Sequence, residues 1–185
     1  MPIPGSSVIV EGHAIVSADG MISGADGEMP SSLRNEADWR LFQAALDRAA
    51  LVVIGRAGHQ RHPNRGRRRL VMTRQVSSLT SDPDDPLATL WNPAGISIEA
   101  ALTRIGVTQG VLAVTGGTSG FDLFLPAYDQ FALSEIPHLL IPDGRPCFSE
   151  GLPEKVLRNA GMRPTEKTVI DKDAGVTLTI WKRQA

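Results

Sequence analysis

The run Val111 to Phe121 (VLAVTGGTSGF) constrains this chain more than any other part of it. Val111 to Thr115 has the short, apolar and partly β-branched character of a fully buried strand. Two adjacent glycines follow at once, and a helix then starts and runs to Leu125. Glycine tolerates φ > 0 and lets a ligand approach the backbone, while a new helix offers free N–H groups and a positive dipole end. Those are the requirements for seating a pyrophosphate, with Gly116, Gly117, Thr118 and Ser119 as the residues in place. A glycine pair after a strand can also be only a tight turn, so the rest of the chain has to support the reading.

Two further strands end in a comparable way. Leu51 to Ile54 (LVVI) runs into Gly55-Arg56, and Leu70 to Thr73 (LVMT) runs into Arg74. In a parallel sheet ligands sit outside the carboxyl ends of the strands, so the three ends could converge on one phosphorylated cofactor. Around them the chain alternates strand and helix patterns. Ser7 to Ser17 reads as a strand ending in an Asp19-Gly20 turn, and a loop follows to Ser32. Glu36 to Ala50 reads as a helix capped by Asn35, with Trp39, Phe42, Leu46 and Ala49 on its apolar side. Leu87 to Trp91 and Phe131 to Ile136 read as strands, Ser97 to Ile105 as a capped helix closed by Gly106, and Pro153 to Ala160 as a helix with proline at its first position. The end is a hairpin, Lys167 to Asp171 and Val176 to Lys182, turning near Gly175. The pattern implies a single α/β domain over 1–185, with a mostly parallel sheet covered on both faces and an antiparallel tail.

Charge narrows the partners. The chain has 185 residues, 42% hydrophobic and 21% charged, with a net charge of -1. That balance opposes bulk attraction to nucleic acid or a membrane surface. It is uneven locally: Leu51 to Gln75 holds seven arginines (Arg56, Arg61, Arg65, Arg67, Arg68, Arg69, Arg74) and no acid. A local cationic patch on a neutral protein suits a small phosphorylated ligand better than a long polyanion, and no aromatics lie between the arginines to stack bases. The middle of the run reads as a solvated loop. Cys147 is the single cysteine, and His13, His59, His62 and His138 lie apart without ligand spacing, so no metal site is expected. No apolar stretch approaches a membrane span and no basic segment precedes a long apolar run at the N-terminus, so a cytoplasmic protein is expected.

The run GGTSGFDLFLPAYDQFALSEI resembles the dihydrofolate reductase pattern: a glycine pair, an aromatic, Phe-Leu-Pro, then a Leu-Ser/Thr-x-Ile strand. Ser17-Ala18-Asp19-Gly20-Met21-Ile22 resembles the Ser-x-Asp-Gly-x-Ile opening of the reductase domain of the riboflavin-biosynthesis deaminase-reductase. Met29-Pro30 and Asp38 to Phe42 are similar to the Met-Pro and Asp-x-x-x-Phe of dihydrofolate reductases, and Gly55-Arg56 and Thr73-Arg74 fall where both families hold cofactor phosphates. The resemblance covers Val8 to Lys182. It implies a three-layer α-β-α sandwich and binding of NADPH by Asp19, Gly20, Ile22, Gly55, Arg56, Thr73, Arg74, Gly116, Gly117, Thr118, Ser119 and Phe121. It also implies Asp38 as the catalytic acid, with Phe42 and Ser134 on the substrate. There are departures: Gly58 stands where dihydrofolate reductases usually carry Thr, Phe121 replaces Tyr, and nothing resembles the deaminase half's zinc motifs.

Asp38 has a second reading. With Asn35 as N-cap it is the third helical residue, where a carboxylate simply complements the helix dipole. The function implied is NADPH-dependent reduction in riboflavin biosynthesis, of 5-amino-6-(5-phosphoribosylamino)uracil or a similar compound. Dihydrofolate is the alternative substrate, and a nucleotide-binding protein without turnover is a further one. The loop Asp19 to Gly27 would close over the nicotinamide. Trp39, Trp91 and Trp181 read as core or interface anchors. The family resemblance and the apolar content of the last third (Phe131, Leu133, Ile136, Leu139, Leu140, Ile141, Val176, Leu178, Ile180, Trp181) imply a homodimer built on the hairpin.

Overall fold

In the computed structural model, which describes residues 7–184, the apolar runs lie side by side in one nine-stranded sheet. From edge to edge its strands are β10 (Met162–Asp171), β11 (Val176–Arg183), β8 (Gln130–Ile136), β1 (Ser7–Ser17), β7 (Gln109–Val114), β3 (Ala49–Gly55), β4 (Arg69–Met72), β6 (Ala88–Trp91) and β5 (Leu79–Ser81). The strands from β8 to β6 run parallel, and β10, β11 and β5 are antiparallel to their neighbours. β2 (Met21–Ser23) and β9 (Arg145–Pro146) form a separate antiparallel ribbon.

The long β1 shows how alternation builds layers. Val8, Val10 and Val16 point to one face and join Leu112, Val114, Phe131 and Trp181 in the main core. Helices α3 (Ile98–Ile105), α4 (Thr118–Phe124) and α5 (Pro153–Asn159) cover that face through Leu102, Phe121 and Leu157. On the other face α1 (Glu36–Arg48) buries Leu46 against Val52 and Ala113, and α2 (Arg56–Arg61) lies over Ile54 beside Val71. Burying side chains of this size stabilises by roughly 1.5–3 kcal/mol each, so the helix faces follow from their apolar stripes.

Several boundaries differ from expectation. α1 stops at Arg48, because Ala49 already pairs with Val111 and belongs to β3. α2 has no counterpart in the sequence reading: its six residues (RAGHQR) are not buried and carry no apolar period to betray them. The first hairpin strand starts at Met162 rather than Lys167, since its exposed edge position requires no alternation. Leu79–Ser81 adds an edge strand. Trp91 and Trp181 are 1% exposed and belong to the core, whereas Trp39 is 55% exposed and does not. Among the described residues no helix is long and apolar enough to cross a membrane.

Candidate functional site

The parallel strands bring the glycine-ended turns to one edge. The Gly55 N–H donates to the Gly116 carbonyl at 3.1 Å, and the Thr115 N–H and hydroxyl both donate to the Val53 carbonyl. The Gly116-Gly117 peptide is cis, and Gly116 has φ +101°, a region that disfavours any side chain. A Cβ on Gly116 would lie 2.7 Å from the Phe121 ring, whereas one on Gly117 would find only Ile22 Cδ1, 3.9 Å away. Gly116 is thus closed from below and Gly117 open to a ligand. Phe121 is 1% exposed, so it supports the turn from the core rather than lining a surface.

Around this turn Ser119 is exposed at the start of α4, while the Thr118 hydroxyl donates to the Pro146 carbonyl at 2.5 Å and ties α4 to β9. Ile22 of β2 approaches Gly117 from the 19–27 loop. Asp19 does not offer its carboxylate outward: it accepts from the Ser17 hydroxyl at 2.5 Å and from the Ile141 N–H at 3.1 Å. Partial burial works to raise its pKa, but those hydrogen bonds outweigh it and hold Asp19 below the ordinary carboxylate value. Gly20 takes φ +84° to make the turn, with Pro153 packed against it. The loop is further held by Arg61, which donates to the Gly27 carbonyl and pairs with Glu28 at 2.6 Å.

That pairing corrects the picture of a solvated arginine loop. Arg67 bonds Asp47, Gln43 and Asn64, and Arg68 donates to the Ile105 carbonyl. Arg69 is fully buried, pairing with Asp85 at 2.5 Å and donating to the Pro63 carbonyl. Burial demands partners for Arg69; Arg61 and Arg68 are exposed and Arg67 half-buried, yet each bonds within the chain as well. Among the described residues only Arg56, Arg65 and Arg74 of the seven make no hydrogen bond or ion pair, and all three are exposed. Arg56, Arg65 and Thr73 line a cleft of about 690 Å³ together with Asp82, Asp84 and Asp85; Arg74 and the glycine pair lie outside that lining. Arg56 and Arg74 thus follow the ends of β3 and β4, and the bond from the Gly55 N–H to Gly116 brings the first of these ends to the glycine pair.

On the α1 side, Asn35 accepts from the Asp38 N–H at 3.1 Å, so the main chain of Asp38 is in the cap. Its side chain faces elsewhere. Burial raises the Asp38 pKa above the ordinary value, opposed in part by the Ser134 hydroxyl and by His13. Ser134 is buried on β8, and Phe42, one turn along α1 from Asp38, packs its ring 6.1 Å from that of His13. The structure thus brings Asp38, Phe42 and Ser134 together. The proximity of His13 and Glu11 to them was not found in the sequence, although strict alternation from Ile15, the ladder partner of Ser134, would have placed both on that face. Among the described residues no three His, Cys, Asp or Glu side chains cluster as metal ligands.

A six-strand parallel core with glycine turns at its carboxyl edge is an open α/β sheet, the kind of architecture in which ligands sit at that edge. The particular fold is that of dihydrofolate reductase. No family model and no curated protein matches the chain. Among solved structures, dihydrofolate reductase from Enterococcus faecalis, complexed with NADP(H) and RAB-propyl, matches with a TM-score of 0.66 at 19% identity, over 96% of this chain and 97% of that one. A diaminohydroxyphosphoribosylaminopyrimidine deaminase/5-amino-6-(5-phosphoribosylamino)uracil reductase from Thermotoga maritima matches with a TM-score of 0.69 at 14% identity, over 96% of this chain and 57% of that one.

Proposed function

We propose that this chain is an NADPH-dependent reductase of a nitrogen heterocycle or of a sugar attached to one. The observation that carries the reading is the fate of the arginines: four of the seven are paired internally, while Arg56 and Arg74 are left free just past the ends of β3 and β4, the first of which meets the glycine pair. The residues present fit a dinucleotide with a 2′-phosphate. Gly117 and the N–H groups opening α4 would take the pyrophosphate, and Arg56 and Arg74 the phosphate charge. Bound there, NADPH would supply a hydride. Asp38 would hold or move a proton at its carboxyl oxygen, since burial raises its pKa above the ordinary value, and Ser134 would orient that carboxyl. Phe42 would press on the ring plane, and the 19–27 loop, pinned by Arg61, would exclude water.

The substrate favoured is 5-amino-6-(5-phosphoribosylamino)uracil or a similar compound, on the strength of the Ser17 to Ile22 opening, whose Ser17–Asp19 hydrogen bond shapes the loop. Dihydrofolate is the second reading, favoured by Asp38 set beside Ser134. We take the chain as one cytoplasmic domain that pairs with a second copy through the hairpin, where Leu178 and Ile180 are half-buried. Loss of reduced-nicotinamide absorbance with each substrate tests the activity, and sedimentation tests the dimer. NADPH binding without oxidation on either substrate would favour a nucleotide-binding protein without turnover.

A further inference from the structure

The 19–27 loop is held at its base and at its tip by different means. At the base Ile22 stands against Gly117, Ser23 is buried, and Asp19 is fixed by Ser17 and Ile141. The tip, residues 24–28 (GADGE), has no large apolar side chain to bury. It turns on itself through the Gly27 N–H, donated to the Gly24 carbonyl, and the Gly24 N–H, donated to the Glu28 carbonyl. A segment without buried apolar contacts opens at little cost, so its position depends on what grips it from outside. Two arginines do so. Arg61, the last residue of α2, donates to the Gly27 carbonyl at 2.6 Å and to the Asp26 carbonyl at 3.4 Å, and its Nε pairs with Glu28 at 2.6 Å. Arg145 of β9 donates from Nε to the Ala25 carbonyl at 3.3 Å, and its guanidinium lies against Gly27, where an added Cβ would be 2.7 Å from Nη1.

Both arginines are tied to the place proposed for the cofactor. α2 is six residues long, so Arg61 and the free Arg56 are the two ends of one short element. Arg145 is followed by Pro146, whose carbonyl accepts from the Thr118 hydroxyl at the start of α4. We propose that Arg61 and Arg145 form a clasp that keeps the loop over the bound cofactor and so governs how fast the cofactor leaves. The proposal rests on the reductase reading above and concerns the regulation of that same site. Ile22 is the side chain nearest to the open face of Gly117, so a dinucleotide seated there is covered by the loop and departs when the tip lets go. Arginine suits the task, because its planar fork reaches two carbonyls and a carboxylate at once. The coupling is reciprocal: a cofactor that rests under the loop also steadies the clasp. Arg61 and Arg145 are positioning residues, acting on the cofactor through the loop.

The test uses the full chain and NADPH. Stopped-flow fluorescence gives the association rate, and a chase of bound NADPH with excess NADP⁺ gives the dissociation rate. Arg61→Ala and Arg145→Ala are each expected to raise the dissociation rate about tenfold with little change in association, the worth of one hydrogen bond to a charged group. Glu28→Gln, which removes only an exposed ion pair, should raise it about fivefold at most. Arg65→Ala takes away a cation of the same run that bonds nothing, and it should leave the rate unchanged. Hydrogen exchange followed by mass spectrometry should show NADPH slowing the 24–28 amides in wild type and not in Arg61→Ala. Unchanged dissociation in both arginine variants, or a change confined to association, overturns the proposal. If those variants do not fold, wild-type exchange decides, and 24–28 amides indifferent to bound NADPH overturn it. Folded wild type that binds no NADPH sinks the reductase reading instead.

Discussion

Two adjacent glycines should fail in opposite ways when each is given a side chain. At Gly116 the backbone has φ +101° and an added Cβ would lie 2.7 Å from the Phe121 ring. The unfavourable φ costs about 1–2 kcal/mol and forcing a methyl into a packed core about 1–3, so Gly116→Ala should lose roughly 2–5 kcal/mol. In a domain of this size that is a melting temperature lower by roughly 5–20 °C. At Gly117 φ is -67° and the Cβ position is free of anything nearer than 3.9 Å. Gly117→Val should therefore fold, while its branches fill the place proposed for the pyrophosphate. Two charge-assisted hydrogen bonds lost at about 1.5–3 kcal/mol each amount to a hundredfold or greater loss of NADPH affinity. Differential scanning calorimetry and NADPH fluorescence titration on both variants measure the split. If Gly117→Val binds NADPH like wild type, or Gly116→Ala melts with it, the division of labour between the glycines is wrong.

The wild type should prefer NADPH to NADH about tenfold or more, and Arg56→Ala or Arg74→Ala should each erode that preference, because these cations have no internal partner to satisfy; equal affinities in wild type would refute it. Asp38→Asn should lower kcat by about 10²–10⁴ if the carboxyl moves a proton. It should also remove a pH dependence of stability. Burial raises the folded-state pKa of Asp38, so the folded chain holds the proton longer than the unfolded one. Stability from this group is thus highest below the unfolded value and falls as pH rises to the raised one, a decline that chemical denaturation across that window should show in wild type and not in Asp38→Asn. Arg69→Ala should cost about 2–5 kcal/mol in urea unfolding, as truncation of a fully buried side chain does, whereas exposed Arg65→Ala should change nothing measurable.

Local chemistry that repeats along the chain was readable before any coordinates. Ser97 caps α3 through the Ala100 N–H, and Gly106 closes it with φ +71°, both as the residue types announce. Buried strands in a parallel sheet are short apolar runs, and the glycines after them mark their carboxyl ends, so the fold class and the gathering of the Gly55 and Gly116 turns were both legible. α2 was not, because six residues with two arginines and a glycine form a helix here only where β3 ends and the sheet face supplies the packing.

What the amino-acid order determined by itself was the set of strands, caps and turns, since these depend on side chains within a few residues of one another. Which charges are free was decided only in three dimensions. Arg61 finds Glu28 and Arg69 finds Asp85 across separations of 33 and 16 residues, and nothing local distinguishes them from Arg56 or Arg74. The same holds for Asp38, whose type suits a helix start equally well as a cleft. Its main-chain N–H donates to the Asn35 cap of α1 while its side chain is desolvated beside Ser134 and His13, because β1 and β8 happen to pass beneath the first turn of that helix. Desolvation and ion pairing are sums over neighbours brought together by folding, and for that reason the chemistry of the site belongs to the tertiary structure.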